Sequence, residues 1–290
     1  MNKKHFVALI LFAITLHTKA QDQIIVLKGE YMGQEAPGLT PKVFAPGFIS
    51  TNEYSEVSAF FHPGGKEFYF TILGGRFEAF TIMVTKMEGE IWSKPQPLLD
   101  GDGMVPIITR DGQKLYYGSI EPTNENDIKR EPNLWMMERA GDSWGDPKPL
   151  GIEVNTPDDG EWFPSIADNG TLYFKGGNFL EGPENIYYTE NKNGAFQKPK
   201  LFEASFNSKY SIEDPFVAPD ESYVIFSPGG PDLFGPMHIS FRDNKGSWST
   251  PVNMGLKGTL PSLSHDRKYL FFIKNDDVYW VDAQIIKTFR

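Results

Sequence analysis

The chain has 290 residues, and its 28 Gly and 22 Pro together make about 17% of the sequence against a usual share near 12%, so turns must be frequent. Aromatic residues contribute 14%, and the apolar share of 40% is spread over short runs, which favours many short strands. The absence of cysteine excludes disulfides, thiolate metal sites and a catalytic thiol. A formal charge of −10 argues against nucleic acid or an anionic membrane surface as a partner.

The first twenty residues have the pattern of a secretory signal peptide. Two lysines precede an apolar stretch over 6–16, and small residues stand three and one positions before a cut after Ala20. The apolar stretch is well short of the roughly 20 residues that a membrane-spanning helix needs, so we expect cleavage without membrane insertion. No cysteine follows the cut, so no lipid anchor is expected. Loss of the leader would remove three lysines and bring the charge to −13, and we expect a periplasmic or secreted protein.

A proline-containing segment recurs along the chain. Residues 92–98 (WSKPQPL) recur as 144–150 (WGDPKPL), 196–202 (FQKPKLF) and 248–254 (WSTPVNM), with a weaker copy at 39–44. The aligned prolines stand at positions 41, 95, 147, 199 and 251, separated by 54, 52, 52 and 52 residues. A nearly constant period of about 50 residues is the signature of a repeat architecture.

A second motif alternates with the first. Residues 106–117 (PIITRDGQKLYY) recur at 164–174, 215–226 and 261–272, and again at 58–70, where Ser58 replaces the proline. Each copy holds two strand-forming runs around a turn such as Asp111-Gly112, which is typical of a β-hairpin. A third strand follows each hairpin, and the proline segment then leads into a fourth.

Five such units predict an all-β protein, a five-bladed β-propeller of four-stranded antiparallel blades over 37–290. The last copy lacks its fourth strand, whereas an unmatched fourth strand stands at 41–44 near the other terminus. We therefore expect the N-terminal strand to complete the last blade and close the ring. The repeat does not account for the N-terminal segment over 21–36.

The repeated motif is similar to that of a known family. The run PSIADNGTLYF over 164–174, with its four copies, resembles the WD40-like repeats of TolB-type propellers, which are common in exported bacterial proteins. The resemblance covers about residues 37–287 and implies a propeller fold. It implies no single activity, because such propellers include cell-envelope scaffolds and domains attached to peptidases.

Carboxylates recur where the chain enters the innermost strand of each predicted blade. Propellers usually bind ligands at this mouth of the central channel, where carboxylates can hold a cation, a basic group or sugar hydroxyls. The alternative is that these acids cap turns. The candidate ligand-binding residues here are Glu56, Asp102, Glu161 with Trp162, and Glu213 with Asp214.

The loops between the second and third strands are a second source of candidates. Glycine pairs stand near aromatic residues at 74–77, 176–179 and 229–234, and Arg76 and Lys175 are placed to meet an acidic substituent of a ligand. The alternative is that the glycines form tight turns and the aromatics pack between blades.

No cofactor and no metal site are predicted. Two of the five histidines, His62 and His265, occupy equivalent turns that we expect on the face opposite the acids, so a three-histidine metal site is not expected. The chain also has no Gly-x-Ser-x-Gly nucleophile elbow and no phosphate loop.

These features favour a non-catalytic, exported propeller that binds a glycan or a cell-envelope protein through the channel mouth. The alternative is a carbohydrate-active enzyme, a glycoside hydrolase or lyase, with Glu161 and Glu213 as its paired carboxylates. A third possibility is an assembly scaffold, which would show a broad apolar patch on one face.

Overall fold

The computed structural model describes residues 25–125, 131–156, 159–177, 184–207, 212–229 and 235–290. The predicted signal peptide over 1–20 lies outside the described residues, as do residues 126–130, 178–183 and 230–234 of the predicted loops between second and third strands. None of the described helices is both long and apolar enough to cross a membrane.

The described strands form five antiparallel sheets of four or five strands, which are the blades of the predicted propeller, and one separate two-stranded hairpin. The chain starts with β1 (Lys42–Val43). Blade 1 contains β2 (Ser55–Phe61), β3 (Glu67–Gly74), β4 (Phe77–Glu88), β5 (Ile91–Trp92) and β6 (Gln96–Pro97). Blade 2 contains β7 (Met104–Ile108), β8 (Lys114–Ser119), β9 (Asn133–Ala140), β10 (Ser143–Trp144) and β11 (Lys148–Pro149).

The remaining blades repeat this order of strands. Blade 3 contains β12 (Gly160–Ile166), β13 (Leu172–Gly177), β14 (Asn185–Thr189) and β17 (Lys200–Leu201), with the small hairpin β15 (Asn191–Lys192) and β16 (Ala195–Phe196) beside it. Blade 4 contains β18 (Ile212–Val217), β19 (Tyr223–Pro228), β20 (Pro236–Phe241) and β21 (Val252–Lys257). Blade 5 contains β22 (Thr259–Leu263), β23 (Tyr269–Lys274) and β24 (Asp277–Asp282), and 3-10 turns lie at Glu30–Gly33 and Ala283–Phe289.

The N-terminal strand closes the ring, as the repeat predicts. Strand β1 is antiparallel to β24 and pairs Lys42 with Trp280 and Val43 with Tyr279. The next residue, Phe44, is fully buried, and its ring centroid lies 5.1 Å from that of Phe271. Blade 5 therefore takes its outer strand from the other end of the chain.

The segment before residue 37, which the repeat does not explain, packs along the ring. Its backbone bonds to blade 1, where the amide of Trp92 donates to the carbonyl of Leu27 at 3.0 Å and the indole Nε1 donates to Gly29 at 2.8 Å. The hydroxyl of Tyr31 donates to Asp266 of blade 5. This segment thus joins blades 1 and 5 a second time.

The innermost strands line a channel with a cavity of about 110 Å³. Four of these strands have a left-handed residue immediately before a proline, and the ladder to the second strand shifts register at that point. These residues are Val105, Phe163, Asp214 and Leu260, with φ of 52°, 50°, 53° and 51°. The resulting bulges bend the strands where they enter the channel wall.

Candidate functional site

The channel has two ends, which we call the upper and lower mouths. At the upper mouth the chain enters the innermost strands, and at the lower mouth hairpin turns join each innermost strand to the second strand. The predicted acids all lie at the upper ends of the innermost strands, but the structure buries them more than a solvent-facing site requires. Glu56, Asp102, Glu161 and Asp214 are buried, and Glu213 is half-buried.

Two of these acids are held by a threonine five residues earlier. Oε1 of Glu161 accepts hydrogen bonds from the amide and hydroxyl of Thr156 at 3.1 and 2.9 Å. Oε1 of Glu56 accepts the same pair from Thr51 at 3.2 and 3.5 Å. Among the described residues, Oε2 of each acid is buried without a hydrogen-bond partner. Burial raises the pKa of both carboxyls to about 8, so both are largely neutral at pH 7.

Because blades 1 and 3 share this arrangement, it is a feature of the repeat that fastens the entering loop. Asp102 also binds a loop amide in blade 2, where its Oδ2 accepts a hydrogen bond from the amide of Ile120 at 3.0 Å. For Glu56, Asp102 and Glu161 the geometry therefore matches the turn-capping alternative.

Lys175 links blades 3 and 4 through a buried ion pair. Its Nζ lies 2.5 Å from Oε2 of Glu213 in blade 4 and 2.7 Å from Oε2 of Glu184 in its own blade. The side chains of Lys175, Glu184 and Glu213 are 7%, 12% and 16% exposed. The prediction that Lys175 lies in a loop is wrong, because β13 continues through Gly176 and Gly177.

Asp214 adds a third carboxyl beside this pair. It is buried at the bulge of β18, and burial, followed by the charge of Glu213, raises its pKa to about 7, while Lys175 opposes the rise. Burial likewise raises the pKa of Glu184, against its bond to Lys175. Lys175, Glu184, Glu213 and Asp214 are named the upper-mouth cluster below. Its three carboxyl groups carry six oxygens, whereas the ammonium offers three N–H donors, and Asp214 also accepts from the amide of Leu260 and the hydroxyl of Ser227.

Two aromatic rings border the upper-mouth cluster. Trp162 pairs with Lys175 across the β12–β13 ladder, and both Trp162 and Phe163 are half-buried. Nζ of Lys175 lies 5.7 Å from the ring centroid of Phe163, whose ring is 5.7 Å from that of Trp162. Of the sequence-predicted residues, the structure thus brings together Trp162, Lys175, Glu213 and Asp214.

Arg76 is not part of this cluster. It is exposed in the β3–β4 hairpin, where its guanidinium carbon lies 4.9 Å from the ring centroid of Phe77. It lines a separate open groove of about 1440 Å³ beside Tyr54 and Phe48. Glu184 was missed from the sequence because only one other repeat, blade 5 with Asp276, has an acid at the matching place.

The two turn histidines lie at the lower mouth and pack between blades. His62 of blade 1 meets Gly112 of blade 2, and His265 of blade 5 meets Gly65 of blade 1. A Cβ added to either glycine would lie 2.7 Å from Nε2 of the facing histidine. Burial lowers the pKa of both imidazoles, which identifies them as neutral packing residues.

No family model and no curated protein matches the chain. Solved structures do match. A chain of a nidogen/laminin complex is similar with a TM-score of 0.54 and 10% identity over 90% of this chain and 89% of that one. A gluconolactonase from Xanthomonas campestris is similar with a TM-score of 0.50 and 8% identity over 87% of this chain and 96% of that one.

TolB from Acinetobacter baumannii is similar with a TM-score of 0.49 and 12% identity over 78% of this chain. This chain spans 53% of that TolB chain. Identities of this size show a shared fold alone. The chain is a five-bladed β-propeller, the fold that its repeats predict, with an N-terminal strand that completes the last blade.

Proposed function

We propose that this protein is a non-catalytic binding module that takes a glycan at the upper mouth of its channel. The observation that carries this proposal is the upper-mouth cluster, in which carboxylate oxygens outnumber the donors of Lys175 and lie beside two aromatic rings. Sugar rings present hydroxyl donors at their edges and apolar C–H faces. Carboxylates can accept from the former, and indole or phenyl faces can pack on the latter.

A glycan fits this cluster better than a cationic peptide does. Lys175 already occupies the position between Glu184 and Glu213 that a ligand ammonium would take. The raised pKa of Asp214 further lowers the negative charge available to a cation near neutral pH. What remains is a set of acceptors suited to neutral hydroxyl groups.

The enzyme is the second candidate, and one observation favours it. A glycoside hydrolase needs one neutral and one ionised carboxyl, and Glu161 is neutral near pH 7 while Glu213 is paired with Lys175. Against it, Glu56 in blade 1 has the same threonine bonds and the same raised pKa as Glu161. The neutral carboxyl therefore follows from the repeat and does not require catalysis.

A glycan array tests the binding module. The full chain is applied to bacterial envelope and plant oligosaccharides, and each retained glycan is then titrated by calorimetry. We expect Glu213→Gln and Trp162→Ala to weaken binding by about tenfold or more, since each removes a direct contact. Glu56→Gln is the matched control, because it alters an equivalent buried acid outside the cluster, and it should bind like the wild type. Absence of any retained glycan, or capture of an envelope protein alone, would contradict the proposal.

Product analysis separates the two candidates. The retained glycan is incubated with the protein, and new reducing ends or unsaturated sugars are measured. An intact glycan supports the binding module, whereas cleavage that Glu161→Gln abolishes would establish the enzyme. The proposed place of action is the periplasm or the cell exterior, which the leader-like pattern over 1–20 supports.

A further inference from the structure

The lower mouth of the channel carries two arginines that share one carboxylate. Nη2 of Arg267 lies 2.7 and 2.6 Å from the two oxygens of Asp168, and Nη1 of Arg110 lies 3.1 Å from Oδ2 of the same residue. Arg110, Asp168 and Arg267 come from blades 2, 3 and 5, so the contacts reach across the mouth. Two full positive charges meet a single negative one.

Much of the donor capacity of both guanidiniums is unused. Each arginine makes its contacts to Asp168 through one terminal nitrogen, and within the described part of the chain their remaining N–H groups at this mouth have no hydrogen-bond partner. The side chains of Arg110 and Arg267 are 72% and 41% exposed, so these donors are available. A planar guanidinium with free donors is the group best suited to a carboxylate.

The acids of the neighbouring turns form no ion pair with either arginine in the described part of the chain. Asp111, Asp220 and Asp266 stand at one equivalent turn position, and each carboxylate accepts from the amide two residues later in its own turn. His265, which also lines the cavity, is kept neutral by burial, which lowers its pKa.

Arg267 occupies a strained position. Its φ is 62°, at the turn position where blades 1, 2 and 3 have Gly65, Gly112 and Gly170. A left-handed backbone disfavours a residue with a Cβ by roughly 1–2 kcal/mol, and such strain gathers at functional sites. Blade 4 has Glu221 at the same turn position with φ 57°, so two of the five turns hold a charged side chain in this conformation.

An apolar cavity lies directly behind the arginines. The channel of about 110 Å³ is lined by Pro106, Pro164 and Pro261 and extends to Arg110 and Arg267 without a break. A water molecule needs roughly 10–15 Å³ of such volume, so the channel has room for a short hydrocarbon chain.

We propose that the lower mouth binds an organic carboxylate with a short apolar tail. The carboxylate would accept from the free donors of Arg110 and Arg267, and the tail would enter the channel between the prolines. Arg110 and Arg267 lie at the opposite mouth from Lys175 and Glu213, and Asp214 of the upper-mouth cluster lines the cavity between them. The proposal does not depend on the glycan proposal.

Calorimetric titration of the full chain with hexanoate tests the proposal. Hexanamide keeps the tail and lacks the charge, and acetate keeps the charge and lacks the tail. We expect both to bind about tenfold or more weakly than hexanoate, since each loses one of the two interactions.

Variants assign the binding to this mouth. Arg267→Gly restores the residue that three other blades have at this turn, so folding is preserved, and hexanoate should bind about tenfold or more weakly; Arg110→Gln should act in the same direction. Arg242→Gln is the matched control, since Arg242 pairs with Glu221 on another part of the lower face. No detectable hexanoate binding, equal binding of sulfate and hexanoate, or unchanged binding in Arg267→Gly would each overturn the proposal.

Discussion

Lys175 of blade 3 and Glu213 of blade 4 form an ion pair across the blade boundary, with Nζ and Oε2 2.5 Å apart and the ammonium only 7% exposed. A buried ion pair contributes little net stability, because desolvation offsets the attraction. Removal of either partner nevertheless destabilises the fold, because the other charge is then buried without a counter-ion. The pair therefore positions the carboxylates of the upper mouth more than it strengthens the ring.

Replacement of this lysine should unbalance the cluster. Lys175→Met leaves Glu184 and Glu213 buried without a cation, and we expect a loss of about 3–5 kcal/mol at pH 7. Without the ammonium, repulsion and burial favour the protonated carboxyls in the folded state. The loss should therefore shrink as the pH falls from 8 towards 5. Urea unfolding across this pH range measures the difference in free energy of unfolding between Lys175→Met and the wild type. Lys200→Met, which alters an exposed lysine, is the control. A difference that does not change with pH would show that Lys175 acts through packing alone.

The raised pKa of Glu161 predicts a stability that falls with pH. The folded carboxyl titrates at about 8, above its ordinary value of 4.5, so the folded state binds more protons between these values. This contribution is fully present below about pH 4.5 and is lost as the pH rises towards 8. Glu161→Gln cannot ionise and still offers an oxygen to Thr156.

Urea unfolding of Glu161→Gln at pH 5 and pH 8.5 checks this prediction. The variant should come close to the wild type at pH 5 and exceed its stability at pH 8.5 by on the order of 4 kcal/mol, since the pKa of Glu161 differs by about 3.5 units between the unfolded and folded states. Glu203→Gln alters an exposed acid and should follow the wild type at both values. A variant that is less stable at pH 8.5 would show that the ionised carboxylate holds the loop.

The packing of His62 on Gly112 predicts unequal effects at two equivalent turns. Gly112→Ala places a Cβ 2.7 Å from Nε2 of His62 in addition to its left-handed backbone, and we expect about 2–3 kcal/mol of destabilisation. Gly170 has φ 85° but no atom within 4 Å of an added Cβ, so Gly170→Ala should cost about 1 kcal/mol. Thermal unfolding compares the two variants. In a double variant, His62→Ala should restore part of the stability that Gly112→Ala removes. An equal loss of stability in Gly112→Ala and Gly170→Ala would contradict the packing of His62 on Gly112.

The closure of the ring predicts that Phe44 stabilises the whole domain. It is fully buried against Phe61, Phe68, Phe271 and Trp280, so Phe44→Ala should lower the free energy of unfolding by about 3–5 kcal/mol. Leu39→Ala removes an exposed side chain from the same segment and should change it little. A single cooperative transition at lower denaturant is expected for Phe44→Ala. An unchanged midpoint would mean that the N-terminal strand does not close the ring.

The fold was predictable because the same pattern of strand-forming runs, hairpin turns and prolines occurs five times in the sequence. Each hairpin has turn-forming residues and each blade has an aligned proline. One such match could arise by chance, but five at a nearly constant period indicate a repeat. The same period also marks Asn155 and Asn207, which are 52 residues apart. Both bond the amide and carbonyl of a third strand through Oδ1 and Nδ2, and a search for polar repeat positions would have found them.

The site was less predictable because most of its residues are not repeated at the equivalent positions of the other blades. Glu184 has an acidic counterpart only in blade 5, Asp276, and the glycine pair after Lys175 indicates a turn although β13 continues through it. The contact between Tyr31 and Asp266 joins residues 235 positions apart, which no local pattern encodes. Composition identifies acids, but only the packing of two blades decides which acids face each other.

The glycan proposal is tested most directly by hydrogen–deuterium exchange of the full chain with and without a glycan retained on the array. We predict that the glycan slows exchange at the upper ends of β12, β13 and β18, around Trp162, Lys175 and Glu213, and leaves the lower turn over 109–112 unchanged. Protection confined to the lower turns, or at the open groove beside Arg76, would contradict binding at the upper mouth.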